Sequence, residues 1–289
     1  MGTTSYDAIV VGSGPNGLAA AITLQQQGLS VLLIEGSDAI GGGLRSKSLT
    51  LPGFTHDVCS AIHPLAIGSP FFSSLPLEQY GLKYAFPEFA AAHPFDDGSA
   101  AILGGTVEDT AGLLEQDEQA YIKLIKPLVN DWTDIAYDVL GPLHFPAYPL
   151  KMAKFGLNAL TSATFLARRF KTQKLRGLWA GMAAHSMQPL SNLSTSAIGM
   201  VLLAAGHLKG WPVPIGGSRA IADALAAYFL SLGGKIETGQ YITALTELPS
   251  AKAVLFDVTP KQLLEIAGHK FSSVYKWQLE RFPLWDGCI

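Results

Sequence analysis

At 289 residues, 48% of them hydrophobic and only 15% charged, the chain is long enough to bury one large or two modest cores and too apolar for intrinsic disorder. A net charge of −3, with no Lys/Arg cluster interleaved with aromatics, gives no pull toward nucleic acid, and no nucleic-acid partner is expected. The two cysteines, Cys59 and Cys288, stand far apart and outside any C-x-x-C, and no two histidines have the i, i+4 spacing of a metal site. The expectation is therefore two free thiols in a reducing compartment and no metal.

The chain opens on Tyr6 to Val11, a short apolar, β-branched run followed by glycines, which predicts a buried parallel strand. Nothing before it has the charged-then-apolar pattern of a secretory leader, and Tyr6 stands where a myristoylation site needs Ser or Thr. Pro15 to Gln27 is Ala/Leu-rich and stops at Gly28, which predicts a helix. Val31 to Ile34 reads as a second buried strand, so the three elements form a βαβ unit. Gly36 to about Gly53 is a Gly/Ser-rich loop. Runs at Ala91–Phe95 and Ala100–Leu103, separated by Asp96-Asp97-Gly98-Ser99, predict two strands and a turn.

From Thr106 the pattern turns helical. Tyr121, Leu124, Ile125, Leu128, Trp132, Ile135 and Val139 recur at helical spacing, with Pro127 expected to kink or divide the helix. Pro142, Pro146 and Pro149 end it, and 151–206 reads as several Ala-rich helices. Its most apolar window, Ala197 to Ala205, falls short of the ~20 residues a spanning helix needs. The βα pattern returns at Gly216, with a helix at 218–232 and strands at 235–238, 241–245 and 253–258.

Gly12-Ser13-Gly14-Pro15-Asn16-Gly17 carries the functional inference. It is a G-x-G-x-x-G placed between a predicted strand and a predicted helix, as dinucleotide binding demands. Gly12 permits the tight turn, Gly14 lets the backbone approach a pyrophosphate, and Gly17 lets helix and strand pack closely. The helix start offers N–H groups and a positive dipole end to the phosphates. Glu35 closes the second strand, where its carboxylate can accept hydrogen bonds from ribose hydroxyls.

FAD and NAD share this turn. The continuation Glu35-Gly36-Ser37-Asp38-Ala39-Ile40-Gly41-Gly42-Gly43-Leu44-Arg45-Ser46 resembles the extended FAD motif of amine oxidases and phytoene desaturases. The resemblance implies that Gly41 and Gly42 form the glycine pair after the ribose-binding Glu. It also implies that Arg45 supplies the cation at the pyrophosphate, although these families often carry Arg directly after the pair, where this chain has Gly43. Leu51-Pro52-Gly53-Phe54-Thr55-His56-Asp57 is similar to the segment that follows in phytoene-dehydrogenase-like proteins. Pro214-Ile215-Gly216-Gly217-Ser218, an Ala-rich helix and Gly233-Gly234-Lys235-Ile236 resemble their later block, in which Ile242 would present its backbone to the adenine.

The fold expected is thus α/β, a Rossmann-like FAD-binding βαβ domain (1–82, continued at 211–289) interrupted by a strand-plus-helical substrate domain (83–210). The resemblance implies an FAD-dependent oxidoreductase moving hydride or electrons from a small, apolar or amine-bearing molecule to flavin. It places His56, Asp57 and His63 toward the isoalloxazine side, with Asp57 or His63 either a proton acceptor or a hydrogen-bonded structural group. The helices of 151–206 either line an apolar cavity or make core. Members of these families are usually longer, and Leu284–Ile289 reads as an abrupt stop. An inactive flavin- or partner-binding fragment, and a split enzyme with a complementing C-terminal fragment, therefore stand as alternatives. An NAD-dependent dehydrogenase is a third, which leaves Gly41-Gly42 without a role. Arg168-Arg169-Phe170-Lys171, with Lys174 and Arg176, reads as either a solvated helix end or a peripheral membrane contact on a cytoplasmic protein.

Overall fold

The computed structural model describes residues 5–282 apart from Pro142, so Cys288, Pro142 and Leu284–Ile289, singled out above, lie outside the described residues. Backbone contacts divide the chain into two units. Unit 1 takes the described residues of Met1–Ala61, Pro76–Lys83 and Pro214–Ile289, and unit 2 takes Ile62–Leu75 and Tyr84–Val213. The sequence expectation had put 62–75 with the nucleotide-binding part.

Unit 1 is built on a four-stranded sheet. Strand β1 (Tyr6–Val11) lies at its centre, flanked by β2 (Val31–Ile34) on one side and Ala251–Phe256 on the other, with Lys235–Glu237 beyond β2. All pairs are parallel, with Ile9 aligned to both Leu32 and Val254. The register continues to Val11 beside Ile34 and Phe256, so the residues after these three strand ends meet at one edge. A parallel strand is buried on both faces, which explains why β1, from Ala8 on, and β2 read as continuous apolar runs rather than alternating ones.

Helix α1 (Pro15–Gln26) crosses from β1 to β2, with Pro15 at its first turn, where the missing N–H costs no hydrogen bond. It buries Leu18, Ala21 and Ile22, each fully enclosed. Burial of the two larger side chains contributes roughly 1.5–3 kcal/mol apiece. Beside it runs the helix Arg219–Ser231, tied to α1 by Gln25 Nε2 donating to the Leu232 carbonyl (3.0 Å). On the opposite face Tyr6, Ile9, Val11, Leu32 and Ile34 collect Ile242, Leu248 and Val254 into a second core.

The strand expected at 241–245 does not form. Tyr241 to Thr243 lack regular structure, and Leu245–Glu247 is a 3₁₀ turn. The apolar side chains there cover the sheet face instead of extending its edge, which explains how β-branched residues misled the reading. The strand expected at 253–258 begins earlier, at Ala251, and ends at Phe256.

Unit 2 combines a hairpin, Ala91–Pro94 against Ala100–Leu103, with a set of helices. Asp97 Oδ1 accepts from the Ser99 amide (2.9 Å) and hydroxyl (2.6 Å), closing the predicted turn. The helix Glu118–Leu140 is continuous through Pro127, so the proline does not divide it. Pro127 borders an open cleft with Lys123, whose carbonyl loses its intrahelical donor to the proline ring. The helix Thr195–Lys209 runs through the core, with Met200 and Leu203–Ala205 enclosed against Trp179, Met182 and Trp132. Trp179 Nε1 donates to the Ala163 carbonyl (2.9 Å), which satisfies the polar atom of this enclosed ring. The helices Gln173–Ala184 and Thr195–Lys209 thus turn apolar side chains into core.

Candidate nucleotide site

The glycine turn sits where β1, β2 and Ala251–Phe256 end together. Gly12 has φ +102°, a left-handed backbone that a side chain resists, and its amide donates to the Ile34 carbonyl (2.8 Å). The turn is crowded from behind. A Cβ on Gly12 would stand 2.2 Å from the Asp257 carbonyl oxygen, one on Gly17 would stand 2.1 Å from the Gly12 carbonyl oxygen, and one on Gly14 would meet the Asp257 carboxylate at 2.6 Å. Gly12 and Gly17 therefore satisfy close packing of turn, helix and strand, as the spacing implied. At Gly14 the immediate obstacle is a carboxylate of the protein itself.

Asp257 is the residue that sequence reasoning missed. Its Oδ2 accepts from the Gly17 amide at the start of α1 (2.8 Å), which sets a negative charge at the positive end of the helix. Burial raises its pKa, Glu35's charge adds to that, and hydrogen bonds from Gly17 and Gly14 only partly offset both. The signal was available: the residue following a strand that pairs with β1 must lie beside Gly12.

Glu35 is fixed by its neighbours. Its amide donates to the Glu237 carbonyl (2.8 Å), and its own carbonyl accepts from Gln240 (2.9 Å). One carboxylate oxygen accepts from the Ser13 amide (3.0 Å) and hydroxyl, and the other accepts from the Ser37 amide (2.9 Å). Burial raises the Glu35 pKa, but these hydrogen bonds outweigh it and hold the carboxyl below its ordinary value. It is a carboxylate at neutral pH. With about four acceptor directions and three in use, it keeps room for a hydroxyl donor.

The second glycine pair closes over the first turn. Gly41 donates to the Ser13 carbonyl (3.1 Å) and has φ +109°. A Cβ on Gly42 would stand 3.1 Å from the Gly14 Cα, so the two glycine stretches touch backbone to backbone. Arg45 Nε donates to the Gly42 carbonyl (2.9 Å), which brings a guanidinium to the same place. Gly12, Ser13, Gly14, Pro15, Asn16, Gly17, Glu35, Gly41, Gly42 and Arg45 thus converge. Ile242 packs, half-buried, on the sheet face with Val11 and Ile34, which precede Gly12 and Glu35, while its neighbour Tyr241 covers Gly36.

The other candidates have structural partners. Asp57 Oδ1 accepts from the Ser46 hydroxyl (2.5 Å) and from the Ser218 amide (2.7 Å), anchoring the start of the Arg219–Ser231 helix. His56 Nε2 pairs with the Thr50 hydroxyl (2.6 Å). His63 belongs to unit 2, where it precedes the short helix Pro64–Gly68 and its amide donates to the Pro212 carbonyl (3.3 Å). His207 Nε2 pairs with the buried Tyr121 hydroxyl (2.6 Å), and burial pushes the imidazole down to about 4. Among the described residues no three His, Cys, Asp or Glu side chains form a metal-binding group.

Comparison with known proteins agrees with this geometry. A family model for an NAD(P)-binding Rossmann-like domain matches residues 10–71. The chain is similar to pyridine nucleotide-disulfide oxidoreductase domain-containing protein 2 of Mus musculus, 27% identical over 282 residues that take in 81% of this chain and 47% of that protein. It is also similar to a limonene dehydrogenase component from Castellaniella defragrans, 31% identical over 102 residues, or 35% of this chain and 18% of that one. Among solved structures it resembles a protein from Pyrococcus furiosus (TM-score 0.59, 18% identity, 97% of this chain and 66% of that one). It also resembles putrescine oxidase bound to putrescine (TM-score 0.58, 20% identity, 92% of this chain and 60% of that one). The chain spans about half the length of the mouse relative, and the structural likenesses establish a shared fold.

Proposed function

We propose that this chain, whose fold is shared with the proteins above, is an FAD-dependent oxidoreductase of the phytoene-dehydrogenase-like type. The observation that carries the reading is the contact of Gly42 with Gly14, with the Arg45 guanidinium held on the Gly42 carbonyl. A single glycine turn serves any dinucleotide, whereas a second glycine pair and a cation laid over it enclose a diphosphate from two sides. The residues present fit the ADP half of such a cofactor. The start of α1 and Arg45 face the diphosphate, and Glu35 offers its remaining acceptor to the ribose.

A bound flavin supplies acceptance of hydride or electrons, and the protein supplies position and charge. Ser13, buried and bonded to Glu35 and Gly41, holds the carboxylate and the second glycine loop in fixed relation. Glu35 is kept ionised, as a hydrogen-bond acceptor for hydroxyls must be. The substrate we favour is a small apolar molecule, in keeping with a mean hydropathy of +0.27 and with a relative named for limonene. The likeness to putrescine oxidase keeps an amine as the competing class. A nicotinamide dinucleotide is the second reading for the cofactor, favoured by the name of the matching family model.

Titration calorimetry with FAD, NAD and FMN on the full chain tests both. FAD is expected to bind more tightly than NAD. Glu35→Gln is expected to weaken FAD by about tenfold, the loss of one charge-assisted hydrogen bond, and to leave FMN, which has no adenosine ribose, unchanged. NAD preferred over FAD would move the assignment to the second reading. Equal loss for FAD and FMN would show that Glu35 acts only by shaping the turn.

A further inference from the structure

Unit 2 carries a surface that the nucleotide site does not use. The helix Pro149–Ala159 buries Phe155 and Ala159 and turns Leu150, Ala153, Lys154 and Leu157 outward, an i, i+3, i+4, i+7 stripe. Leu150 is 87% exposed and Leu157 77%; Leu160 and Leu193, brought together by the Ser194 amide donating to the Leu160 carbonyl (3.3 Å), are 68% and 78% exposed. Leu143 and Phe145, on the loop before the helix, are exposed as well. A soluble surface scatters such residues singly, whereas here Leu150 and Leu157 share one helix face and Leu160, just past the end of that helix, meets Leu193.

The stretch of sequence that carries these leucines is one-sided in charge. From 139 to 213 the chain holds eight of its 20 Lys and Arg and none of its 23 Asp and Glu, an asymmetry hidden inside a net charge of −3. Some of these cations are answered from elsewhere in unit 2: Lys151 pairs with Asp131 and Asp134, and Lys174 with Glu115. Lys154, Arg168 and Arg169 have no carboxylate partner among the described residues. Arg169 donates to the Asn158 side chain (3.0 Å), which sets it against the leucine-bearing helix. Lys123, Asn158, Arg169 and Phe170 line an adjoining cleft of about 230 Å³. Phe170 itself is buried, so the aromatic of the Arg-Arg-Phe-Lys run is not part of the exposed face.

We propose that this face docks on a lipid bilayer bearing anionic headgroups. Projecting aliphatic side chains beside ammonium and guanidinium groups suit the boundary of a bilayer, where leucines enter the acyl layer and cations stay with the phosphates. Charge complementarity selects this occupant. A second copy of the chain would bring the same positive charge against itself, and a nucleic acid would leave the leucines in water. The contact lies in the plane of the membrane, since no described helix is long and apolar enough to cross it. The inference stands on unit 2 alone and does not depend on the cofactor.

Vesicle flotation of the full chain tests it, with phosphatidylcholine alone and with phosphatidylcholine containing phosphatidylglycerol. The chain should float with the anionic vesicles, stay behind with the neutral ones, and be released by salt. Lys154→Glu with Arg168→Glu should lower partition at least tenfold, taking each surface cation as worth about fivefold. Leu150→Ser with Leu157→Ser should also lower it about tenfold, with thermal unfolding unchanged because both side chains are already exposed. Leu49→Ser, an exposed leucine of unit 1, should leave partition unchanged. Failure of the wild-type chain to float with anionic vesicles would overturn the proposal, as would variants that float like wild type or an equal loss in Leu49→Ser. A dimer in sedimentation, dissolved by the leucine substitutions, would overturn it in favour of self-association.

Discussion

Glycine makes space in both units, but for different occupants. In unit 1 the space at Gly12 and Gly17 is taken by main chain, the Asp257 and Gly12 carbonyl oxygens. In unit 2 it is taken by rings. A Cβ on Gly177 would meet Phe95 at 2.5 Å, one on Gly181 would meet His93 at 1.8 Å, and one on Gly206 would meet Trp211 at 2.5 Å. Main chain fixed by a sheet cannot retreat, whereas a ring can turn or shift. Gly12 and Gly17 should therefore tolerate no side chain, whereas Gly177, Gly181 and Gly206 should tolerate alanine at a cost.

The largest effect follows at Gly12→Ala, which meets both a left-handed φ and a backbone oxygen. Destabilisation above about 3 kcal/mol is expected, as added strain and overpacking coincide, and chemical denaturation should show it. A mild effect would mean the turn can open, and the contrast between the units would fail.

Acid should next separate the units. His207 has its folded pKa pushed down to about 4. Its neutral form therefore contributes stability that is fully present above the ordinary histidine value. That stability is lost as pH falls through the window between that value and 4, and amounts to roughly 3 kcal/mol at most. His207→Asn should flatten this loss in urea titrations across that range, and a wild-type stability that does not change there would refute it.

Gly181→Ala is expected to cost about 1–3 kcal/mol, because His93 must move from a packed position. Thermal unfolding would read this, and a cost as large as that of Gly12→Ala would erase the distinction.

The smallest expected effect sharpens the account of unit 1. Asp257→Asn removes a negative charge from the start of α1 while keeping an oxygen for the Gly17 amide. Dinucleotide affinity should rise about twofold to fivefold, the scale of one charge at a helix terminus. Burial raises the Asp257 pKa, so it loses its charge at a higher pH than an ordinary aspartate. Wild-type affinity should therefore tighten as the pH falls through that protonation, and the variant should show no such trend. Calorimetry across pH decides this, and weaker binding by the variant would make Asp257 a support of the turn rather than a counterweight to the phosphates.

Much of unit 1 could be read from the chain because its signals are local. β1 and β2 are short, mostly apolar runs and α1 is rich in Ala and Leu, all punctuated by Gly12, Pro15 and Gly28, and Glu35 follows the second strand directly. Asp257 could not be read the same way, since it reaches Gly17 across 240 positions and only the parallel pairing of Phe256 with Val11 brings them together. Tyr241–Leu245 misled because β-branched residues cover a sheet as readily as they extend one. Part of the acid-free stretch of unit 2 was legible as the basic run at Arg168–Lys171 with Lys174 and Arg176. Its full extent is hidden in the net charge, where a positive block and a negative remainder cancel.

Ser13 gives the turn one last property. Its hydroxyl and main chain join the end of β2 to the second glycine loop, so three separate stretches of backbone are knitted together by the protein's own groups. An incoming dinucleotide would then meet, at this turn, amide groups already held by the protein, which spares part of the entropy of ordering a loop around it. Capture should accordingly be a single fast bimolecular phase whose rate rises linearly with concentration, and differences among nucleotides should be written in how slowly each one departs.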